Sequence, residues 1–449
     1  MKKINSLLVG VVALSAVICL TSCKEKVEIT EYQGYKLLWH DEFSGHKLDE
    51  TIWNKEVREP GWTNHEMQAY TKDKENIYVK NGKLVLRAVQ HKLKSGRAWY
   101  TSGKVQTSHK KDFTYGKICV KAKVPVGQGL WPAIWMMPTD EKFGNWPVSG
   151  EIDIMEVLGN QPEKNYGTIH YGSPHGQKQG TYILKDTNFG EDFHEFSVEW
   201  EPGEFRWYVD GNLYYTENNW FATSRGGEEF EYPAPFNQDF FIQLNLAVGG
   251  DWPGKPDENT DFTKSKFEID YVRVYQKEKY NENVKKPVVE FPVPDKNKNY
   301  IHNPDFKEVH PLDGSNLWTF LLANGGDGSA EIKDGQLIIY SKAAGFVDYS
   351  VQLVHPKIAN YKGIKYRIKF DAKADNDRTI KVAVTAPEVN WIRYFPDTSV
   401  DLTKDWKTYE FEYEMTRNTD PLARLEFQLG KQNSTDTVYL KNVTLTELN

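Results

Sequence analysis

Cysteine is nearly absent: the chain has three, at positions 19, 23 and 119, among 449 residues. Two of them close the N-terminal apolar run, so Cys119 stands alone in the body of the chain and a disulfide framework is excluded. Cys119 lies in the apolar stretch GKICVKAKV and reads as a small buried hydrophobe. Positive charge is also in deficit, with a net charge of −7. Nucleic acid, which needs a basic surface, is therefore not an expected partner. Helical periodicity of useful length is missing, and so is any internal repeat. The apolar run from Leu7 to Leu20 is too short to span a bilayer comfortably.

That run is instead shaped like an export signal. Lys2 and Lys3 precede it, and it ends in Leu20-Thr21-Ser22-Cys23, which resembles a bacterial lipobox. The resemblance implies cleavage before Cys23 and a lipid on its thiol. Residues 1–22 are then a signal peptide and 23–34 a tether. The expected location is the cell envelope, as an outer-membrane lipoprotein on the surface or periplasmic face, with the membrane as a partner through the anchor.

Beyond residue 35 the pattern is strand-like. KLVLRAV, EFSVEW, FFIQLNLAV and FEIDYVRVYQ alternate or run apolar with β-branched and aromatic residues. Asp210-Gly211, between FRWYV and NLYYT, signals a tight hairpin. The predicted fold is all-β, with a large antiparallel sandwich over 35–277. A Pro- and charge-rich linker follows over 278–298, then a smaller β-sandwich over 299–449. Of 14 tryptophans, 11 precede residue 280, so the first domain has a use for large rings.

The segment SGEIDIMEVLG, residues 149–159, holds three acids in an apolar strand. Strict alternation puts Glu151, Asp153 and Met155 on one face and Glu156 on the other. A one-residue bulge near Met155 would reset the phase and set all three carboxylates in one stripe. Such crowding is unfavourable and calls for a function. Glycoside hydrolysis uses a carboxylic acid to protonate the leaving oxygen and a carboxylate to attack the anomeric carbon or activate water. Retention needs the two groups about 5–5.5 Å apart. Four strand steps span roughly 13 Å, so the side chains must lean together on a curved strand. Asp153 between them would hydrogen-bond Glu151 and help to separate the pKa values of the two glutamates. Taken alone, the run reads equally well as a solvated sheet face. Trp131, Trp135 and Trp146, which bracket it, favour a glycan cleft in which sugar faces stack on rings.

Residues 35–276 resemble glycoside hydrolase family 16 in its bulged E-x-D-x-x-E form. The likeness is carried by EIDIME together with WHDEF, GWTNHEMQAYT, YTSGKVQT, GQGLWPAIWMMP, GTIHYG and LNLAVGGDWPG. It implies a β-jelly-roll with a groove on its concave face and a retaining mechanism. Glu151 would be the nucleophile, Asp153 its helper and Glu156 the acid/base, with His170 of GTIHYG close by. Within the family the motifs look most like laminarinases, the endo-β-1,3-glucanases. This implies that Asn64, Glu66, Trp131, Trp135, Trp146, Asn245 and Trp252 line the groove. Gly103-Lys104 stands where many laminarinases have Ala-Arg, so a bidentate contact is lost there. Asp270 in DYVRVYQ matches a ligand of a structural calcium, and reads equally as an end-of-strand acid. No cofactor is expected for catalysis.

Residues 299–449 resemble carbohydrate-binding modules of the family 4 type, through NYIHNPDF, LWTF, YRIKFDAKA and TVYLKNVTL. Lys441-Asn442 replaces the Asp-Asn of related modules, removing one calcium ligand. Trp318, Trp391, Tyr394 and Trp406 are candidate ring platforms, with Trp406 better read as packing at a strand entry. The whole therefore reads as a monomeric, retaining endo-glycosidase that cuts β-1,3 bonds in laminarin-like or mixed-linkage β-glucan. The alternatives are a galactan hydrolase on the same fold (agarase, carrageenase or porphyranase) and a surface glycan-binding lipoprotein without turnover. The loops near the acids are not basic, which favours a neutral glucan over a sulfated galactan.

Overall fold

The computed structural model describes residues 28–448 apart from 289, 388, 390, 432 and 433. The proposed signal peptide, with Cys19, and the proposed lipidation site Cys23 lie outside the described residues. The chain divides into two compact units between Pro287 and Val288.

The first unit is a β-jelly-roll of two antiparallel sheets. One sheet runs, in spatial order, Gly176–Ile183, Lys164–Tyr171, Glu151–Glu156, Leu130–Pro138, Phe240–Val248, Lys104–Gln106 and Asn54–Lys55. The other is built on His194–Glu201, Gly116–Lys123 and Lys266–Lys277, with Tyr35–Asp41 pairing along the last. Alternating apolar residues from both sheets meet between them. Ile134, Ile152, Ile154 and Met155 from the first join Ile118, Val120, Val198 and Val272 from the second, all essentially inaccessible to water. Removing that much apolar surface from water is the main force holding the layers together. Cys119 is buried, with its Sγ 3.6 Å from the Tyr32 hydroxyl. Asp210 and Gly211 take φ values of 49° and 76°, the left-handed pair that a tight hairpin between twisted strands requires.

The second unit is a smaller β-sandwich. Its first sheet runs Thr319–Leu322, Val351–Asn360, Asp420–Gln428, Arg378–Ala386 and Ile392–Leu402. Its second runs Gly326–Lys333, Gln336–Ala344, Val438–Leu448, Lys365–Ala374 and Lys407–Glu414. The expectation of Trp318 as a sugar platform is overturned here. Its ring is fully buried in the core, against Phe306 and His355, and its indole N–H donates to the His302 carbonyl at 2.9 Å. The ring faces of Trp318 are spent on packing. Among the described residues, no helix is long and apolar enough to cross a membrane.

Candidate active site

The acid strand is aligned by its neighbours. Along Lys164–Tyr171, Glu151 pairs with His170, Asp153 with Thr168 and Glu156 with Tyr166, and the register shifts between the last two. Ile154 and Met155 together face the single residue Gly167, which makes a β-bulge. Both side chains enter the core, and Glu156 returns to the face of Glu151 and Asp153. The bulge breaks the ladder locally, and the Asp153 carbonyl accepts a hydrogen bond at 2.9 Å from the buried Trp207 indole. Gly167 makes room for that ring: a Cβ there would lie 2.5 Å from Trp207 Cδ1 and 2.5 Å from the Tyr214 hydroxyl. Gly150, at φ 87°, turns the chain into the strand, where a Cβ would meet Phe236 at 2.8 Å.

The three acids open into a groove of about 630 Å³. Two tryptophans aim their N–H groups at them. Trp146 donates to Glu151 Oε2 at 2.5 Å and Trp131 donates to Glu156 Oε1 at 3.2 Å. The rings therefore orient the carboxylates. Glu151 also lies in hydrogen-bond contact with Asp153. Burial and the adjacent Asp153 charge push the Glu151 carboxyl up to about 8. Asp153 is raised by burial, and Glu156 is pushed well above the usual carboxylate range by burial and then by the charges of Asp153 and Glu151. Three carboxylates this close cannot all ionise, so the site retains protons at neutral pH.

The groove gathers every substrate-binding residue read from the sequence. Asn64, Glu66, Trp131, Trp135, Trp146, His170, Asn245 and Trp252 all line it with the acids. A hydrogen-bonded chain holds one flank. Trp135 donates to Asn245 at 2.6 Å, Asn245 to the Tyr70 hydroxyl at 3.0 Å, and Tyr70 to Glu66 at 3.4 Å. Gln68 donates to the same Glu66 oxygen at 2.7 Å. Trp252 stands edge-on to Trp131, with ring centroids 5.6 Å apart.

Lys104 takes a position that sequence did not foresee. Its ammonium is buried between Trp62 and Trp135, 4.6 and 4.7 Å from their ring centroids. Cation–π attraction offsets part of the lost hydration, and burial still lowers its pKa to about 8. One face of Trp135 is thereby covered. Trp62, Tyr70, His175, Gln177 and Gln179 also line the groove without having been singled out. Trp62 was legible in GWTNHEMQAYT, whereas His175 sits in a turn with no motif around it.

Asp270 lies apart from the groove, on Lys266–Lys277 of the opposite sheet. Lys83 and Lys121 face its carboxylate with their ammonium nitrogens at 4.0 and 3.9 Å. Two cations around one carboxylate are the reverse of what a divalent ion needs, so the expected calcium ligand does not fit that role. Among the described residues, the one group of metal-ligand type is Glu151, Asp153 and His170, whose ligand atoms lie within 4.8 Å of one another. Trp146 already turns an N–H toward Glu151, which suits a proton-sharing set better than a cation cage.

In the second unit Trp391 is half exposed at φ 57°, with the Arg424 guanidinium 4.4 Å from its ring centroid. Arg424 in turn bonds Glu426 at 2.6 Å, and Gln352 and Gln428 bond the same carboxylate at 3.1 and 2.9 Å. Tyr394 donates to Asp420 at 2.9 Å. Trp406 is covered by Lys441 and Lys373, at 4.2 and 5.4 Å, and is a packing residue. Asn442 and Thr408 donate to Asp371 at 2.7 and 2.6 Å.

Comparison with known proteins finds relatives for each unit. Residues 63–273 match the family model described as glycosyl hydrolases family 16, and residues 298–437 match a carbohydrate binding domain. A beta-glucanase of Rhodothermus marinus is 39% identical over 249 residues, covering 54% of this chain and 85% of that protein. Glucan endo-1,3-beta-glucosidase A1 of Niallia circulans is 38% identical over 264 residues, 55% of this chain but 38% of that longer protein. The laminarinase catalytic domain from Thermotoga maritima aligns at 41% identity and a TM-score of 0.47, over 54% of this chain and 99% of that domain.

Proposed function

This chain belongs to glycosyl hydrolase family 16, and from that membership we propose that it is a retaining endo-β-1,3-glucanase acting on laminarin-like or mixed-linkage β-glucan. The observation that carries the reading is the bulged stripe of Glu151, Asp153 and Glu156 on the floor of a tryptophan-lined groove. The linkage rests on the relatives named as glucan endo-1,3-beta-glucosidase and beta-glucanase.

In the first step Glu151 attacks the anomeric carbon while the bond to the leaving oxygen breaks, and Glu156 gives that oxygen its proton. Asp153 takes up the proton that Glu151 must shed to become a nucleophile. In the second step Glu156, now ionised, takes a proton from water, which displaces Glu151 and restores the original configuration. The groove residues Trp131, Trp146 and Trp252 would stack on the sugar rings, with Asn64, Glu66 and Asn245 hydrogen-bonding their hydroxyls. A galactan substrate carrying sulfate would call for exposed cations in the groove, and the lysine that lines it, Lys104, is buried between rings. In the second unit, glycan would lie on the free face of Trp391, with Arg424 backing the ring. Residues 1–22 and Cys23 would deliver the enzyme to the cell envelope as a lipid-anchored monomer.

The test is reducing-sugar release from laminarin, mixed-linkage β-glucan, cellulose and agarose, with Glu151→Gln as the control. We expect release from laminarin that the substitution abolishes, with the β-anomer formed first by proton NMR. Release only from agarose would overturn the substrate, and first formation of the α-anomer would overturn retention. A chain that binds glucan without cleaving any polymer would be a binding protein instead.

A further inference from the structure

The mechanism above leaves one buried oxygen unaccounted for. Asp153 Oδ2 is inaccessible to water and, among the described residues, has no hydrogen-bond partner. A buried carboxylate oxygen without a donor is costly. One group placed to supply a proton is His170, whose Nε2 lies 3.4 Å away. His170 serves that oxygen only if its proton sits on Nε2. The other nitrogen, Nδ1, must then be an acceptor, and it faces His175 Nε2 at 2.9 Å.

We infer that His175 is a positioning residue: by donating from Nε2 to His170 Nδ1, it fixes His170 in the tautomer that presents Nε2–H to Asp153. The accounting closes on both rings, since each neutral imidazole carries one proton and each facing pair of atoms has one donor and one acceptor. His170 and His175 stay neutral at working pH, because burial lowers both and His175, further lowered by its neighbour, falls to about 4. The chemical consequence lies at Asp153. With Oδ2 occupied by the His170 N–H, the proton Asp153 accepts is directed to its other oxygen, Oδ1. The proton can then pass between the two carboxyls and not be stranded on the far side. His175 also packs on the Trp146 ring, centroids 4.9 Å apart, and Trp146 is the donor to Glu151. One turn residue thus braces both partners of the carboxylate pair.

This inference rests on the catalytic reading of Glu151 and Asp153, so the experiment separates the two. The full chain is compared with His175→Phe, which keeps a ring against Trp146 but has no N–H, and His175→Gln, which keeps a donor but loses the ring. Laminarin hydrolysis gives kcat and KM, and nitrogen-15 imidazole shifts give the protonated nitrogen of His170. The expected result for His175→Phe is a kcat lower by roughly tenfold, the size of one hydrogen bond, with KM within about twofold. His175→Gln should recover most of kcat. His170 should carry its proton on Nε2 in the parent and in His175→Gln, and on both nitrogens in exchange in His175→Phe. An unchanged kcat in His175→Phe, or equal losses in both variants with the His170 tautomer unmoved, would overturn the inference. If the parent cleaves no glucan, the proposed function fails, and the nitrogen-15 arm alone decides this point.

Discussion

Glu156 sets how the enzyme answers to pH. In its proposed role as the acid it works protonated, and burial with two neighbouring carboxylates holds its pKa far above the ordinary value. On the alkaline side, activity should therefore persist through neutral pH and fall as pH rises through that raised value. Its removal should also be selective by substrate. Glu156→Ala should abolish hydrolysis of laminarin, whose leaving alcohol needs a proton, yet retain much of the first step on an aryl glucoside with an acidic phenol. Equal loss on both substrates, measured as the pre-steady-state burst of phenol, would remove Glu156 from the acid role. Glu151 carries a second consequence. Its carboxyl stands at about 8 in the folded chain against an ordinary 4.5. A raised pKa means that the native state holds a proton the unfolded chain releases. This contribution to stability is full below 4.5 and is lost as pH rises through 8. Glu151→Gln should then melt close to the parent at pH 4 and above it at pH 9, by about 2–4 °C for each kcal/mol of repulsion removed. A variant that melts lower at pH 9 would contradict the assignment.

At the scale of the element, the β-bulge makes the site. Its two core-facing residues, Ile154 and Met155, stand against one partner residue, so Glu156 keeps the pairing with Tyr166 and Ala133 that an unbulged strand one residue shorter would have. Deleting Met155 should leave all three acids on the groove face and retain measurable activity. The missing side chain should cost about 2–5 kcal/mol of stability through the cavity it leaves. A folded deletion variant with no activity, compared by denaturant melts and laminarin hydrolysis, would show that the bulge sets more than phase. This element was legible in the sequence, because three acids among β-branched residues fit one face only with an inserted residue. The surrounding rings were legible in part. Trp131, Trp135 and Trp146 follow from their closeness in sequence to the acids, but their N–H bonds to Glu156, Asn245 and Glu151 do not. The cage around Lys104 depends on strands meeting across the sheet, and the contact of His175 with His170 on the turn that joins two neighbouring strands; no motif in the sequence records either. The surroundings of Asp270 were not legible either, because its motif shows the acid but not the two lysines that face it.

At the scale of the whole molecule, the proposed lipid anchor and the two units together would make an enzyme held at a surface and working on a polymer. If Cys23 carries the lipid, Cys23→Ala should move the protein from the membrane fraction to the soluble one without changing its kcat on laminarin. As a proposed carbohydrate-binding unit, the second unit would add a separate hold on the polymer. Sequence suggested four rings there, and the fold sorts them by a rule that sequence does not carry, namely which face of each ring is already covered. Trp318 is enclosed by the core and Trp406 by two lysines. Tyr394 spends its hydroxyl on Asp420. Trp391 alone is half exposed with a guanidinium bracing its other face, the arrangement of a platform kept flat for a ligand. Truncating such a ring commonly costs a factor of about ten in affinity. Because the glycan is a polymer, loss at one site weakens the bivalent hold while leaving the chemistry of the other untouched. Trp391→Ala should therefore lower retention on insoluble β-1,3-glucan, read in a pull-down, and slow its degradation, with kcat and KM on short soluble laminari-oligosaccharides unchanged. Unchanged retention would place the glycan contact of this unit elsewhere. A parallel loss on soluble oligosaccharides would mean that Trp391 acts on the catalytic groove and not through polymer capture.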